Sequence, residues 1–479
     1  MVSPVPTRVG VRSDPVGPAP GVPKRRTRRS ASPRSSTLPG LGILVFVGVV
    51  ALSPAPASRA EDATEPVAGL EEAVTLALRR NPGVKAAFQR WRAALAEVPQ
   101  AKAFPDPKLT YAYYLENVET RVGPQEHAVA VQQTLPTAGK RRCRGRAAEA
   151  NARALEKQYE QVKLDLLYDV KTVYYDLYYL GRAIQITRDN MKLLEALEKV
   201  AQSRYKTGGA MAPLVQLQTE LGKLEDRVQE LTALRPARAA QLNALLGRPA
   251  EASVPWPEAI VVPDAELEQR NVEAELAARS PLLERFDAQA KRHELQAALA
   301  NKKRWPDVTV GLKTIATGDA RAPGTPGSGT DAVLATVSVN FPIWRTKYAA
   351  EAEEAKRKRE AARYDGADTL NRLRAQVKMA VFRYRDAGRK INLYRDTLVP
   401  KAEQSLKVAR QAFEAGETAF LTLIDAERML LEFELQHERA RTERARQYAL
   451  IEKLIASPLP LGTEEQDVTL EPAPEEEAE

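Results

Sequence analysis

The chain contains very few of the residues that build redox centres and metal sites. Among its 479 residues there is one cysteine, Cys143, and the three histidines are His127, His293 and His437. A single cysteine excludes an internal disulfide and a metal cluster held by cysteines. The histidines lie far apart in sequence, and none stands in a recognisable metal motif. Glycine-rich phosphate loops and nucleophile elbows are absent as well, so the sequence predicts no enzyme, no cofactor and no metal site.

The chain also lacks a hydrophobic run long enough to cross a bilayer as a helix. Its apolar run at 41–52 has twelve residues, whereas a spanning helix needs roughly twenty. A basic run at 24–34 precedes it and small residues follow it, an order that is typical of a secretory signal. We therefore predict a leader over residues 1–60 that is cleaved after Ala57 or Ala60, with a membrane anchor as the alternative. A mature chain that sits in a membrane would then do so as strands.

The positive net charge is confined to the predicted leader. Residues 1–60 carry nine Lys or Arg and one acid, Asp14, which accounts for the whole net charge of +8, so residues 61–479 balance at zero. The end of the chain, 464–479, has only acidic charges, and the segment 457–479 has the composition of a disordered tail. Because no basic stripe with interleaved aromatics is present, we predict that the protein does not bind nucleic acid.

The stretch 137–206 predicts one very long helix. It contains no proline, and its apolar residues recur at an average spacing of about 3.6, the helical period. These residues are Leu155, Tyr159, Val162, Leu166, Val170, Val173, Leu177, Leu180 and Ile184. At about 1.5 Å per residue such a helix is roughly 100 Å long, so it needs an equally long partner.

The order of predicted elements occurs twice. The first repeat, 61–246, has a hairpin at about 108–135 followed by the long helix. The second repeat, 280–456, has a hairpin at about 307–341 and a long helix at about 343–415. Residues 247–279 between them form a proline-rich linker, or equatorial segment, with a short helix.

Four pairs of landmarks support the duplication. The difference in residue number between the two members of a pair rises in small steps along the chain. Loop insertions between two copies of one unit would produce such steps. The pairs are Pro82 with Pro281 at 199, Pro105 with Pro306 at 201, Pro136 with Pro342 at 206, and Gly208 with Gly416 at 208.

Both hairpins show the alternation of strands with one apolar face. The alternating apolar residues are Leu109, Tyr111, Tyr113 and Leu115 in the first, and Val333, Ala335, Val337, Val339 and Phe341 in the second. This pattern is typical of a membrane β-barrel strand, and a soluble sheet lying on the helices is the alternative. Four strands are too few to close a barrel, and an open sheet edge cannot face lipid. Three copies of the chain would supply twelve strands.

Over about residues 70–456 the chain resembles the TolC-like outer-membrane efflux proteins. The resemblance rests on the helix openings at Asn81-Pro82 and Ser280-Pro281, on the segment Leu-Pro-Thr-Ala-Gly-Lys-Arg at 135–141, and on two helix-breaking turns. The second turn, with its surroundings at 413–426, is the most specific part. Each motif alone is weak, whereas their duplicated order is a strong signal.

The resemblance implies a mainly α-helical fold with a small β part, in which the unit helix, β-hairpin, long helix, helix is duplicated. It implies a homotrimer whose twelve-stranded β-barrel spans the outer membrane, in contact with its lipid, and continues as a periplasmic α-helical barrel. The implied function is the channel of a tripartite efflux system. Such a passive duct is coupled to a periplasmic adaptor and to a proton-driven inner-membrane transporter. From the residues alone, a soluble periplasmic coiled-coil scaffold without a pore is the alternative.

The resemblance also implies where the adaptor binds. The two turns between long helices would lie at the periplasmic tip, and their residues Lys206, Gly208, Gly209, Gly416 and Glu417 would contact the adaptor. A tight turn between antiparallel helices needs a positive φ angle, which glycine adopts without penalty.

Family members close this tip with two rings of aspartates beyond the second turn. The matching positions here are Thr422 and Asp425, so one ring is missing. Three copies of Asp425 around a threefold axis would attract cations and narrow the aperture, unless the side chain only faces solvent between helices. A tyrosine and an arginine that latch the tip elsewhere in the family correspond to Phe413 and Thr418, which puts a polar latch in doubt.

The cargo is predicted only through the resemblance. The start of the long helix at Gly139, Lys140 and Arg141 resembles the branch of the family that serves heavy-metal efflux. We therefore expect divalent metal ions rather than drugs or secreted proteins. A duct need not recognise its cargo, because the pump selects it.

Overall fold

The computed structural model describes residues 69–137, 139–415 and 420–459, which all belong to one compact unit, Arg59–Glu479. The predicted leader at 1–60 and the acidic residues of the predicted tail lie outside the described residues. No helix within the described ranges is both long enough and apolar enough to cross a membrane.

Helices make up most of the described residues. They are α1 (Leu70–Arg80), α2 (Pro82–Lys102), α3 (Lys140–Lys206), α4 (Ala212–Leu246), α5 (Gln269–Arg279), α6 (Pro281–Lys302), α7 (Arg345–Leu393), α8 (Val399–Ala415) and α9 (Phe420–Ile455). A π-helical turn, Tyr394–Leu398, joins α7 to α8. The strands are β1 (Lys108–Thr120), β2 (Gly123–Leu135), β3 (Val308–Thr317) and β4 (Ala332–Val339). The coarse prediction of a mainly helical fold with a small antiparallel β part is thus confirmed.

Helix α3 is the element around which the other helices are arranged. It is 67 residues long and packs against α2 and α4 from the first half of the chain and against α6 and α9 from the second. Its buried residues belong to several separate apolar clusters along its length. The apolar core is therefore distributed along the whole length of α3, because a helix of this length cannot bury its apolar residues in one place.

Helices α2 and α4 follow one another along α3. The side chain of Asn81 caps α2, since its Oδ1 accepts hydrogen bonds from the backbone N–H groups of Gly83 (2.8 Å) and Val84 (3.2 Å). Its Nδ2 donates to the carbonyl of Leu245 at 2.9 Å, in the last turn of α4. Gly247 ends α4 with a φ of +65°. One asparagine thus joins the start of one helix to the end of the other.

The four strands form one antiparallel sheet in the order β1-β2-β3-β4. Within it, Leu109 pairs with Val131, Val131 with Leu312, and Val310 with Val337. Since alternate residues of a strand point to opposite faces, this register gathers the apolar residues of all four strands on one face. The opposite face is mostly polar or small, and its large apolar residues are Ile315 and Leu334.

A buried ion pair ties the start of α3 to the start of β3. The Nζ of Lys140 donates to Asp307 Oδ1 at 2.8 Å and to the carbonyl of Trp305 at 2.7 Å, and the lysine side chain is only 3% exposed. The same carboxylate oxygen accepts the backbone N–H of Thr137 at 2.9 Å. Gly139 precedes the helix with a φ of +70°. The contact links the two halves of the chain where strands give way to helices.

The second long helix departs from the prediction. The sequence predicts a continuous helix over about 343–415, whereas the structure begins it at Arg345 and interrupts it with the π-helical turn. The cause is Pro400, which has no N–H to donate to the preceding turn. The chain adjusts just before it, and the N–H of Val399 bonds to the carbonyl of Tyr394, five residues back.

We predict that Lys140→Met destabilises the protein by about 2–4 kcal/mol, because it leaves the Asp307 carboxylate without its cation in a mostly buried site. Heat or urea unfolding of the full chain, followed by circular dichroism, measures this. The control is Lys102→Met, which breaks the half-exposed Lys102–Glu149 pair (2.6 Å) and should cost less than about 1 kcal/mol. Equal effects of the two variants would contradict the structural role of Lys140.

Candidate functional site

Two helix ends that are distant in sequence meet at one end of α3. The Nη2 of Arg204, in the last turn of α3, donates to the carbonyl of Glu414 at 2.7 Å, in the last turn of α8. The guanidinium of Arg204 also lies 4.6 Å from the centre of the Phe413 ring. The turn after α3 and the end of α8 therefore lie side by side. We call this end of the helices, with residues 201–217, 406–415 and 420–430, the turn end.

The first turn has the geometry that only glycine allows. Gly208 has a φ of +97°, and its N–H donates to the carbonyl of Tyr205 at 3.1 Å. The N–H of Gly209 donates to the carbonyl of Arg204 at 2.8 Å. This pair of bonds is a Schellman motif, which satisfies the last carbonyls of α3. A Cβ atom on Gly209 would lie 2.9 Å from the Arg204 oxygen, so the second glycine is required as well.

An apolar cluster fills the turn end. It consists of buried residues from α3, α4, α8 and α9. Its two aromatic rings, Phe413 and Phe420, lie 5.5 Å apart, edge to face, a favourable aromatic geometry. Phe413 occupies a position at which the resemblance implies a polar latch. In this chain it is a buried core residue instead.

The predicted aperture residues lie on the exposed side of α9. Thr422 is exposed, and Asp425 is 68% exposed, with its Oδ1 3.6 Å from Nη1 of Arg428. Gly416 and Glu417 lie outside the described residues. The structure therefore brings Lys206, Gly208 and Gly209 together in one turn and sets Thr422 and Asp425 at the start of α9. Their roles at an aperture and an adaptor contact stay predictions.

An ion pair links α4 to α9 near this end. The guanidinium of Arg428 donates to both carboxylate oxygens of Glu220, from Nη2 and, at 3.2 Å, from Nε. Lys223 adds a second cation 2.8 Å from Glu220. The hydrogen bond from Arg428 holds the pKa of Glu220 below its ordinary value. The pair thus stays ionised and joins helix α4 to helix α9.

One buried carboxyl lies next to this ion pair. Glu427 is 2% exposed, and its Oε1 has no hydrogen-bond partner. Burial, and then the negative charges of Glu220 and Glu434, raise the pKa of Glu427 to about 8. The sequence analysis does not single out this residue, although Leu423 and Leu430 flank it at heptad-like spacing, which marks the position as buried.

Metal-binding groups do not converge at this site. Across residues 69–137, 139–415 and 420–459, no cluster of three or more His, Cys, Asp or Glu side chains has the arrangement to hold a metal ion. The histidines are spread over separate elements: His127 bonds to Tyr111 in the sheet, at 2.8 Å, and His293 bonds to Gln296 within α6, at 2.9 Å. Burial lowers the pKa of His437 in α9, which favours its neutral form.

Comparison with known proteins gives consistent matches. A family model described as outer membrane efflux protein matches residues 73–248 and 274–457. The chain is also 25% identical to the cobalt-zinc-cadmium resistance protein CzcC of Cupriavidus metallidurans over 379 residues, covering 77% of this chain and 85% of CzcC.

Solved structures with the same fold include those of CusC and VceC. CusC, whose structures concern folding and transmembrane channel formation, has a TM-score of 0.70 at 14% identity, covering 81% of this chain and 92% of that chain. The outer membrane protein VceC of Vibrio cholerae has a TM-score of 0.68 at 18% identity, covering 82% and 97%. At these identities the likeness concerns the fold.

We predict that Gly208→Ala destabilises the turn end by about 1–2 kcal/mol, since alanine pays a steric penalty at positive φ. Gly222→Ala is the matched control, because Gly222 lies exposed inside α4 and a Cβ added there would have no atom within 4 Å. There alanine should stabilise by roughly 0.5–1 kcal/mol through helix propensity. Urea unfolding of both variants measures the difference, and equal signs for the two changes would contradict the assigned turn.

Proposed function

Because the chain belongs to the outer membrane efflux protein family, we propose that it is the passive exit duct of a tripartite efflux system. The chain is thus an outer-membrane efflux protein with a periplasmic extension. The observation that carries the proposal is the β-sheet, whose apolar face is exposed and whose two edges have no paired strand among the described residues. Such a sheet is unstable alone, in water or in lipid.

The exposed face of the sheet has the composition of a lipid-facing surface. Its exposed apolar residues are Leu109, Tyr111, Tyr113, Val129, Val131, Leu135, Val310, Leu312, Val333, Val337 and Val339. Large aromatic residues are exposed where strands and helices meet, at Phe104, Trp305, Phe341 and Trp344. Aromatic side chains favour the membrane–water interface. The pattern supports insertion in a bilayer with this end of the sheet near the interface.

The topology supports closure by identical copies. The four strands alternate in direction, so β1 and β4 run antiparallel to each other. The free edge of β4 in one copy can therefore pair antiparallel with β1 of the next, and three copies give a closed barrel of twelve strands. Closure removes every edge that would otherwise expose unpaired backbone groups to lipid.

The helices leave a matching contact for the next copy. Helix α7 packs against α5, α6 and α9, yet Tyr364, Met379 and Phe382 on it are exposed. Exposed apolar residues on one long helix favour the packing of that helix against another. In a homotrimer they would meet α2 and α4 of the neighbouring copy and complete an α-helical barrel.

The proposal includes partners and a cargo. The contact for a periplasmic adaptor consists of Lys206, Gly208 and Gly209 in the turn end, together with Gly416 and Glu417 of the second turn. The adaptor couples the duct to a proton-driven inner-membrane transporter. Divalent metal ions are the proposed cargo, and the similarity to a cobalt-zinc-cadmium resistance protein supports this choice.

A periplasmic scaffold without a pore is the second candidate. The exposed apolar face of the sheet disfavours it, because a soluble protein would leave that surface in water. Cell fractionation and conductance separate the two functions. The duct should be found in the outer membrane, migrate as an oligomer on gels without boiling, and give stepwise conductance in a planar bilayer. Release by osmotic shock with no conductance would contradict the duct.

A pair of arginine substitutions tests the orientation of the sheet. Val337 is 72% exposed on the apolar face, and its neighbour Ser338 lies on the polar face. We predict that Val337→Arg lowers the outer-membrane yield, at a cost below the roughly 2–4 kcal/mol of a cation at the bilayer midplane, because Val337 lies towards the interfacial end of the sheet. Ser338→Arg should leave the yield nearly unchanged. Equal yields from both variants would argue against a lipid-facing sheet.

Two further substitutions test the aperture. Asp425→Asn should lower the preference of the channel for cations, and Thr422→Asp, which restores the missing acidic position, should raise it. Reversal potentials across a salt gradient measure both changes. If neither variant shifts the reversal potential, these two residues do not line the narrow part of the duct.

A further inference from the structure

The turn end is built from two helix pairs that have to stay packed together. Helices α3 and α4 form one pair and α8 and α9 the other. Apolar side chains fill the space between the pairs. Polar contacts cross this space as well, among them Arg204 with Glu414 and Arg428 with Glu220. Glu427 lies buried one residue from the second contact. Glu427 is thus a titratable group in the contact surface that would open if the two helix pairs separated.

The surroundings of Glu427 suit a neutral carboxyl. Helices α3 and α9 run antiparallel, with Arg182 against Glu438. Continuing that register brings Asn190 to within about one helical turn of Glu427. Asn190 is buried too, and its Oδ1 has no hydrogen-bond partner. A protonated carboxyl can donate a hydrogen bond to such an acceptor, whereas a carboxylate cannot.

The charges around Glu427 are mostly negative. On its own helix it faces Arg428 and Glu434, and on α4 it faces Glu220. Glu434 in turn faces Glu403 on α8, Asp189 on α3 and one cation, Arg182 on α3. Arg428 is already engaged by Glu220. A second full negative charge on Glu427 would therefore be buried beside other carboxylates with no cation of its own.

We propose that Glu427 is a proton-controlled lock: its protonated side chain lets the α8–α9 pair pack against α3 and α4, and loss of the proton loosens the turn end. The lock rests on the proposed function and deepens it, because this end is where the duct meets its adaptor. The chemical partner of the site is a proton, and separation of the helix pairs releases it to the periplasm.

The direction of the pH dependence follows from the environment of the residue. In the packed state, burial raises the pKa of Glu427 from 4.5 to about 8. Once the helix pairs separate and the side chain meets water, the ordinary value returns. The packing therefore has its full stability below about pH 4.5 and loses it as the pH rises through about 8. Acidification favours the packed form.

Hydrogen exchange of the full-length protein in detergent tests this without using transport. The measured quantity is the exchange of the α9 amides from Leu423 to Leu430, corrected for the intrinsic pH dependence of exchange. Between pH 6 and pH 9, protection of the wild-type segment should fall by on the order of a hundredfold. In Glu427→Gln, which stays neutral, the protection should remain constant within a few fold.

Two more variants make the test specific. Glu427→Met has a similar volume and no charge, and should also remove the pH dependence if the glutamine variant folds poorly. Glu432→Gln, at an exposed position of α9, should retain the wild-type pH dependence. The lock is overturned if wild-type protection does not change with pH, or if either Glu427 variant keeps the change. A failure of conductance with a normal exchange result would instead count against the duct.

Discussion

A helix of 67 residues cannot bury its apolar side chains against itself, and this constraint shapes the whole described structure. Helix α3 meets it by packing against both halves of the chain, with α2 and α4 along one side and α6 and α9 along another. The apolar clusters are strung along it. Each segment of the rod is then stabilised locally, while the ion pair of Lys140 and Asp307 ties the rod to the sheet.

The sheet and the helices of a single chain both leave surfaces that need a further packing partner. Among the described residues the sheet has two unpaired edges, and α7 carries exposed apolar side chains. Both are satisfied by one operation, the addition of further copies around an axis, which is why a closed tube is the arrangement we favour. In the proposed assembly, identical neighbours would complete what one chain leaves open.

Much of this can be read from the sequence because it depends on local periodicity. The spacing of apolar residues from Leu155 to Ile184 indicates a helix close to its observed bounds, and glycine at 208 marks a turn with positive φ. The pairing of β2 with β3 depends on non-local packing that no spacing reveals, whereas the π-helical turn ahead of Pro400 has a local cause that the apolar spacing alone does not show. Glu427 escapes sequence reasoning because a glutamate on a charged helix is usually solvated.

The two long rods differ in one mechanical respect. Helix α3 is continuous over its whole length, whereas its counterpart contains the turn Tyr394–Leu398, in which the regular ladder of hydrogen bonds is interrupted ahead of Pro400. Interruptions of this kind are where helices bend. The second rod is therefore easier to bend at this turn than a continuous helix would be.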